Sequence, residues 1–141
     1  MANIIPFAFR GELFKGTHDF SNGGNQFRIA LYTGNPYSTS SDVYLTAQEV
    51  SASNTGYTTA GQLLQGQAVA SGTAVASVDF ADSVLNNATF TAAFAAIYND
   101  TNGNKLCVVL DFGGNKTATN GTFTISFPNP STPANAIISM A

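Results

Sequence analysis

After residue 16, no stretch of this 141-residue chain keeps apolar side chains at the three-to-four-residue spacing of an amphipathic helix, whereas several alternate them every second residue. In "TNGTFTISF", residues 119–127, Phe123, Ile125 and Phe127 alternate with Thr122, Thr124 and Ser126. An extended strand built this way shows rings on one side and small hydroxyls on the other, and the Asn-Gly pair ahead of it is a hairpin signal. Without helices to make crossovers, such strands must pair antiparallel through short turns.

The same grammar recurs. "QFRIALYTG" alternates Phe27, Ile29 and Leu31 with Arg28, Ala30 and Tyr32. From Thr73 onward, "TAVASVDF", "NATFTAAFAAIYN", "KLCVVLDF", "GTFTISF" and "AIISM" read as five β-rich segments. The turns expected between them include "NDTNGN", "GGNK" and "PNPSTP". In "TFTAAFAAIY", Phe90, Phe94 and Tyr98 are expected on one face with Ala92 and Ala96. Ala93, Ala95 and Ile97 then form a small opposite face suited to close packing against another sheet or subunit. Residues 34–72 read as long connections with short possible strands at "DVYL", "GYTT" and "QAVA". The first sixteen residues differ: Pro6 can open a short helix, Phe9 and Leu13 can share a face, and Gly16 can close it. The expectation is an N-terminal arm or short helix over 1–16, then an all-β domain over 17–141. About eight short strands would form an antiparallel two-sheet sandwich, jelly roll or barrel, with a jelly roll as first choice.

Composition narrows the function. Charged residues make up 9% of the chain, against about 25% in ordinary soluble domains. Sixteen Thr, twelve Ser and fourteen Asn supply the polarity instead. A net charge of −3 has the wrong sign for tracking a phosphate backbone, so no nucleic-acid partner is expected. The apolar run at the N-terminus is broken by Pro6 and Arg10, which suits neither a signal peptide nor a membrane span. Synthesis and folding in a cytoplasm, with no membrane partner, are the expectation.

Candidates for chemistry are few. Cys107 is the only cysteine, which rules out an intrachain disulfide, and within "KLCVVLDF" it reads as a packed thiol. His18 is the only histidine, so any Ser-His-Asp or Cys-His site would have to assemble around it and Asp19. A histidine beside a turn reads first as a hydrogen-bonding structural residue. Asp79 and Asp82 could pair as carboxylates, although solvation or capping explains them more simply. Asp100, Asn102 and Asn104 imitate the alternate oxygen ligands of a calcium loop, but Gly103 is misplaced and no bidentate Glu follows. A plain turn is expected there, with no metal and no cofactor. Four Asn-x-Thr sequons begin at Asn87, Asn99, Asn115 and Asn120, and follow from a sequence rich in both residues.

Taken together, "FKGTHDF", "FRIALYTG", "GYTTAGQLL", "VDFADSVLNNATFTAAFAAIYND" and "VVLDFGGNKTATNGTFTISFP" resemble a group of small tailed-bacteriophage virion proteins, from about Phe14 to the C-terminus. Gln62 and the Val84-Leu85 pair depart from the group's usual residues. The resemblance implies a virion structural protein and no enzyme. Its leading form is a decoration, or cement, protein that binds the outer capsid surface in many copies, with the major capsid protein and sister copies as partners. Low charge density and small Thr, Ser and Ala faces suit such edge-to-edge crowding. The arm residues Ile4, Ile5, Phe7 and Phe9 are the expected anchor on the lattice or a sister subunit, with packing on their own domain as the other reading. The alternative role is a tail, neck or fibre-associated protein that binds carbohydrate through exposed Tyr32, Tyr37, Tyr44 and Tyr57.

Overall fold

The computed structural model describes residues 3–71, 74–127 and 138–140. The expected "PNPSTP" turn lies outside these residues. Among these residues one helix, α1 (Phe7–Phe14), precedes seven strands: β1 (Phe27–Tyr32), β2 (Gln62–Leu63), β3 (Ala68–Ser71), β4 (Ala76–Asp79), β5 (Ser83–Asn99), β6 (Lys105–Ile125) and β7 (Ile138–Met140). The fold is mostly β, and every strand pairing is antiparallel. Two open sheets form, in the orders β2-β1-β5-β6 and β3-β4-β7.

The helix starts and stops where its local chemistry dictates. Pro6 precedes it with φ −62, and Gly16 follows its C-cap Lys15 with φ 70. Thr17 N–H donates to Glu12 O at 3.0 Å and Gly16 N–H to Leu13 O at 3.2 Å, the paired bonds of a glycine-closed helix end. The chain therefore doubles back, bringing His18 beneath the helix it has just left. Phe9, 1% exposed, points into the main core, and Leu13 packs beside it.

The main core joins both sheets. Phe27, Ile29 and Leu31 of β1 share it with Val78 of β4, Ile138 of β7 and Phe80. Phe20 stacks on Phe27 with centroids 4.3 Å apart, and Phe80 meets Phe27 edge-on at 5.9 Å. A second cluster, Ala30, Tyr32, Tyr37, Ala96, Tyr98, Leu106 and Val109, covers the other face of the four-stranded sheet. Both faces of β1 are thus occupied, so Ala30 and Tyr32 are as deeply buried as Phe27, Ile29 and Leu31.

The longest departure from the expected strands lies in β6. "KLCVVLDF" and "GTFTISF" belong to one strand of 21 residues, and the "GGNK" stretch is no hairpin turn. β5 and β6 stay paired from Ser83↔Ile125 to Asn99↔Lys105, and residues 112–115 form a bulge opposite the single residue Ala93. Gly113 and Gly114 take φ 78 and 145, which only glycine adopts readily, so they bend the strand where a turn was expected.

The bulges also reassign faces. Phe90 and Ala92 point into the main core, but beyond the shift between Ala92 and Phe94 it is Ala95 and Ile97 that do so, while Phe94, Ala96 and Tyr98 join the second cluster. The expected common face of Phe90, Phe94 and Tyr98 does not exist. Ala92, Ala95 and Ala96 are fully buried within the domain, so the small residues serve internal packing. Of the possible strands in the connection, "QAVA" contributes to β3, "DVYL" makes a single bridge, Val43↔Lys105, and "GYTT" lies just ahead of β2.

Candidate functional site

Two polar clusters hold most of the chain's chemistry-bearing side chains. The first gathers where the end of α1 meets the β5–β6 turn. His18 Nε2 lies 2.6 Å from Glu12 Oε2, and Glu12 Oε1 lies 3.6 Å from Lys105 Nζ. On the other side of the ring, Asn99 Nδ2 lies 3.0 Å from His18 Nδ1. Asn99 Oδ1 accepts from Asn102 N at 3.0 Å, which turns the amide nitrogen toward the histidine. His18 Nδ1 is then the acceptor, and the neutral ring carries its proton on Nε2 and donates it to Glu12.

Cys107 completes the group, with Sγ 3.7 Å from His18 Nδ1. A carboxylate, an imidazole and a thiol in sequence outline a nucleophilic triad, but two features oppose that use. The Nδ1 lone pair is already taken by the closer Asn99 amide, so the thiol has no base to receive its proton. Cys107 is also 0% exposed, the extra residue in the bulge between Ile97↔Val108 and Tyr98↔Leu106, and burial first, then Glu12's charge, pushes its pKa well up. The thiol stays protonated and enclosed. Phe9, Phe20 and Phe27 surround the imidazole, with ring centroids 5.0, 6.2 and 6.5 Å away.

The second cluster is built on Glu49. Its Oε1 accepts from Tyr57 Oη at 2.6 Å and from Ala60 N at 2.8 Å, and its Oε2 accepts from Tyr44 Oη at 2.6 Å. Tyr57 Oη also accepts from Leu31 N at 3.1 Å, tying the carboxylate to β1. Tyr98 donates to the Ala60 carbonyl. Tyr32 Oη donates to Leu45 O at 2.7 Å and lies 2.6 Å from Tyr37 Oη, which itself accepts from Leu45 N at 2.9 Å. With the Tyr32 proton committed to a carbonyl, Tyr37 is the donor between the two phenols.

Tyr32, Tyr37, Tyr44 and Tyr57 are therefore not exposed stacking platforms. Tyr32, Tyr37 and Tyr57 are buried, and Tyr44 is half-buried and stacked on Tyr98 at 4.7 Å. Desolvation leads the causes that raise the pKa of all five tyrosines, with Tyr98 reaching about 12. No family model, curated protein or solved structure matches this chain.

The remaining candidates are dispersed. Asp100 Oδ2 faces Arg28 Nε at 3.2 Å, and the Asn102 amide Nδ2 donates to Thr17 O at 2.6 Å, so both side chains are engaged by protein partners outside the calcium-like loop. Asn104 and Gly103 take φ 57 and 66, closing a plain turn between β5 and β6. Among the described residues, no three His, Cys, Asp or Glu side chains gather as metal ligands. Asp19 takes a hydrogen bond from the Ser21 hydroxyl and another from its N–H, which lower its pKa. Asp82 Oδ1 accepts from Phe127 N at 2.9 Å, a capping role. No helix among the described residues is long and apolar enough to cross a membrane.

The arm residues separate. Phe9 is buried, Ile4 exchanges two 2.8 Å backbone bonds with Val109, and Ile5 packs against the main core. Phe7 remains exposed, joined by Phe14, which the sequence reading had not singled out. Glu12 and Glu49 were likewise overlooked, because neither stands in a motif and their partners lie five to 93 residues away along the chain, while Asn99 was read only as the start of a sequon.

Proposed function

We propose that this protein is a structural subunit of a tailed-bacteriophage particle, of the capsid-decoration type, present in many copies on the outer shell. The observation that carries this reading is the inward commitment of its reactive side chains. His18, Cys107 and the tyrosines are spent on holding the fold, while the outer faces of β5 and β6 carry neutral groups such as Thr89, Thr117, Thr122 and Thr124. Such a surface suits contact more than turnover, and like-charged neighbours at short range repel little when charges are sparse. The sequence resemblance to phage virion proteins points the same way. We read the two sheets around one core as a sandwich of jelly-roll type, with the virion as its location and the major capsid protein as its partner.

Copy number tests this reading. Particles purified from infected cells should carry the protein in hundreds of copies, whereas a dozen or fewer would place it in the tail or neck. Particles lacking it should release DNA at lower temperature or milder osmotic shock. Unchanged fragility together with low copy number would reject the decoration role.

A further inference from the structure

We propose that the outer face of α1 on one copy docks against the β4–β5 corner of a second copy. Phe7 and Phe14 are 61% and 89% exposed, the two most exposed large apolar side chains among the described residues. Seven residues apart, they share one face of the helix with Gly11 between them, where an added Cβ would meet nothing within 4 Å. Two rings and a notch make a surface that water solvates poorly.

Charge selects the occupant. Arg10 sits over the Phe7 ring at 5.4 Å and Lys15 caps the helix, while Glu12, its only acid, is turned inward to His18 and Lys105. The patch therefore presents two positive charges. The chain has five basic and eight acidic residues, so the rest of the molecule carries −5. On that remainder, Arg28 and Lys105 are already in ion pairs. The corner from Asp79 to Val84 holds two acids, no cation, and Val84 at 40% exposure. It offers a charge and an apolar contact matching those of the helix face.

The contact uses different surfaces on the two copies, so it does not close on itself as a pair and propagates to a ring or an array. The inference rests on the reading of the protein as a many-copy shell component, and supplies a contact between neighbours. Its test needs only the purified chain, so absence from particles would sink that reading and leave this result standing.

Sedimentation equilibrium from about 10 μM to 1 mM should show concentration-dependent association that weakens as salt is raised. Lys15→Glu and Asp79→Lys should each weaken association about tenfold, and both changes in one chain should restore it to within about threefold. Phe14→Ser, at a site that contributes little to the fold, should weaken it similarly, with circular dichroism checking that each variant is folded. A monomer throughout the range would overturn the proposal. So would association indifferent to all three single changes, or a double variant no stronger than the singles.

Discussion

Glu12 and His18 stand on either side of a helix terminus and meet again at 2.6 Å, because Gly16 reverses the chain between them. This one contact links the helix end, through Asn99 and Lys105, to both strands of the central hairpin. Removing the carboxylate leaves the His18 Nε2–H without its partner in a ring of phenylalanines. Glu12→Ala should cost about 1–3 kcal/mol, measured by urea unfolding. Glu12→Gln keeps an acceptor oxygen and should cost less. Equal losses for the two variants would show that the hydrogen bond contributes nothing.

The tyrosines set an alkaline limit. All five have raised pKa values in the fold, against 10.0 for an ordinary tyrosine. Below pH 10 both folded and unfolded chains keep these protons, and stability is unaffected. Above it the unfolded chain releases them while the folded chain retains them, so stability falls progressively toward pH 12 and beyond. Ultraviolet titration should show no tyrosinate near pH 10 in the folded protein, with ionisation arriving together with unfolding. A tyrosine that titrates near 10 while circular dichroism stays native would contradict the network around Glu49.

Cys107 should behave as a buried hydrophobe. At neutral pH an aromatic disulfide reagent should modify it at least about a thousandfold more slowly than a free thiol, at a rate that follows global opening. Fast labelling of the native protein would mean that the thiol is accessible and that His18 can act on it.

The turn at Ala60 and Gly61 makes two opposite forecasts. Gly61 has φ 84, and a Cβ there would stand 2.1 Å from Ile29 O, so Gly61→Ala must displace β1 or β2. A loss of about 2–4 kcal/mol is expected from strain and lost packing. Ala60 holds φ 76 with a methyl group, an unfavourable arrangement that Ala60→Gly relieves. Thermal unfolding should place that variant at or up to about 1 kcal/mol above the parent, allowing for the greater freedom of glycine when unfolded. A clear loss would show that the Ala60 side chain contributes contacts that outweigh the strain.

Deleting the arm is a poor probe of an outward role, since residues 2–9 include Phe9 of the core and Ile4 of the backbone ladder. Removing them should lower stability by several kcal/mol, whereas Phe7→Ser should change it by less than about 1 kcal/mol. Urea midpoints of the two variants, compared with the parent, check this.

The local rules in the sequence determined which residues extend and where the helix begins and ends. Alternation at 27–32 and 119–127, Pro6 and Gly16 around α1, and Asn-Gly at 102–103 act within a few residues of themselves, so no distant partner is needed to read them. Tertiary structure alone decided that "GGNK" is a bulge in a continuous strand. A glycine pair permits a turn or a bend equally well, and the pairing of β6 with β5 on both sides of it selects the bend. The same holds for the tyrosines and for Glu49. A phenol can face water or a half-buried carboxylate, and only the connection over residues 34–61, folded across the second face of the sheet, supplies the acceptors that offset the cost of burying the phenols.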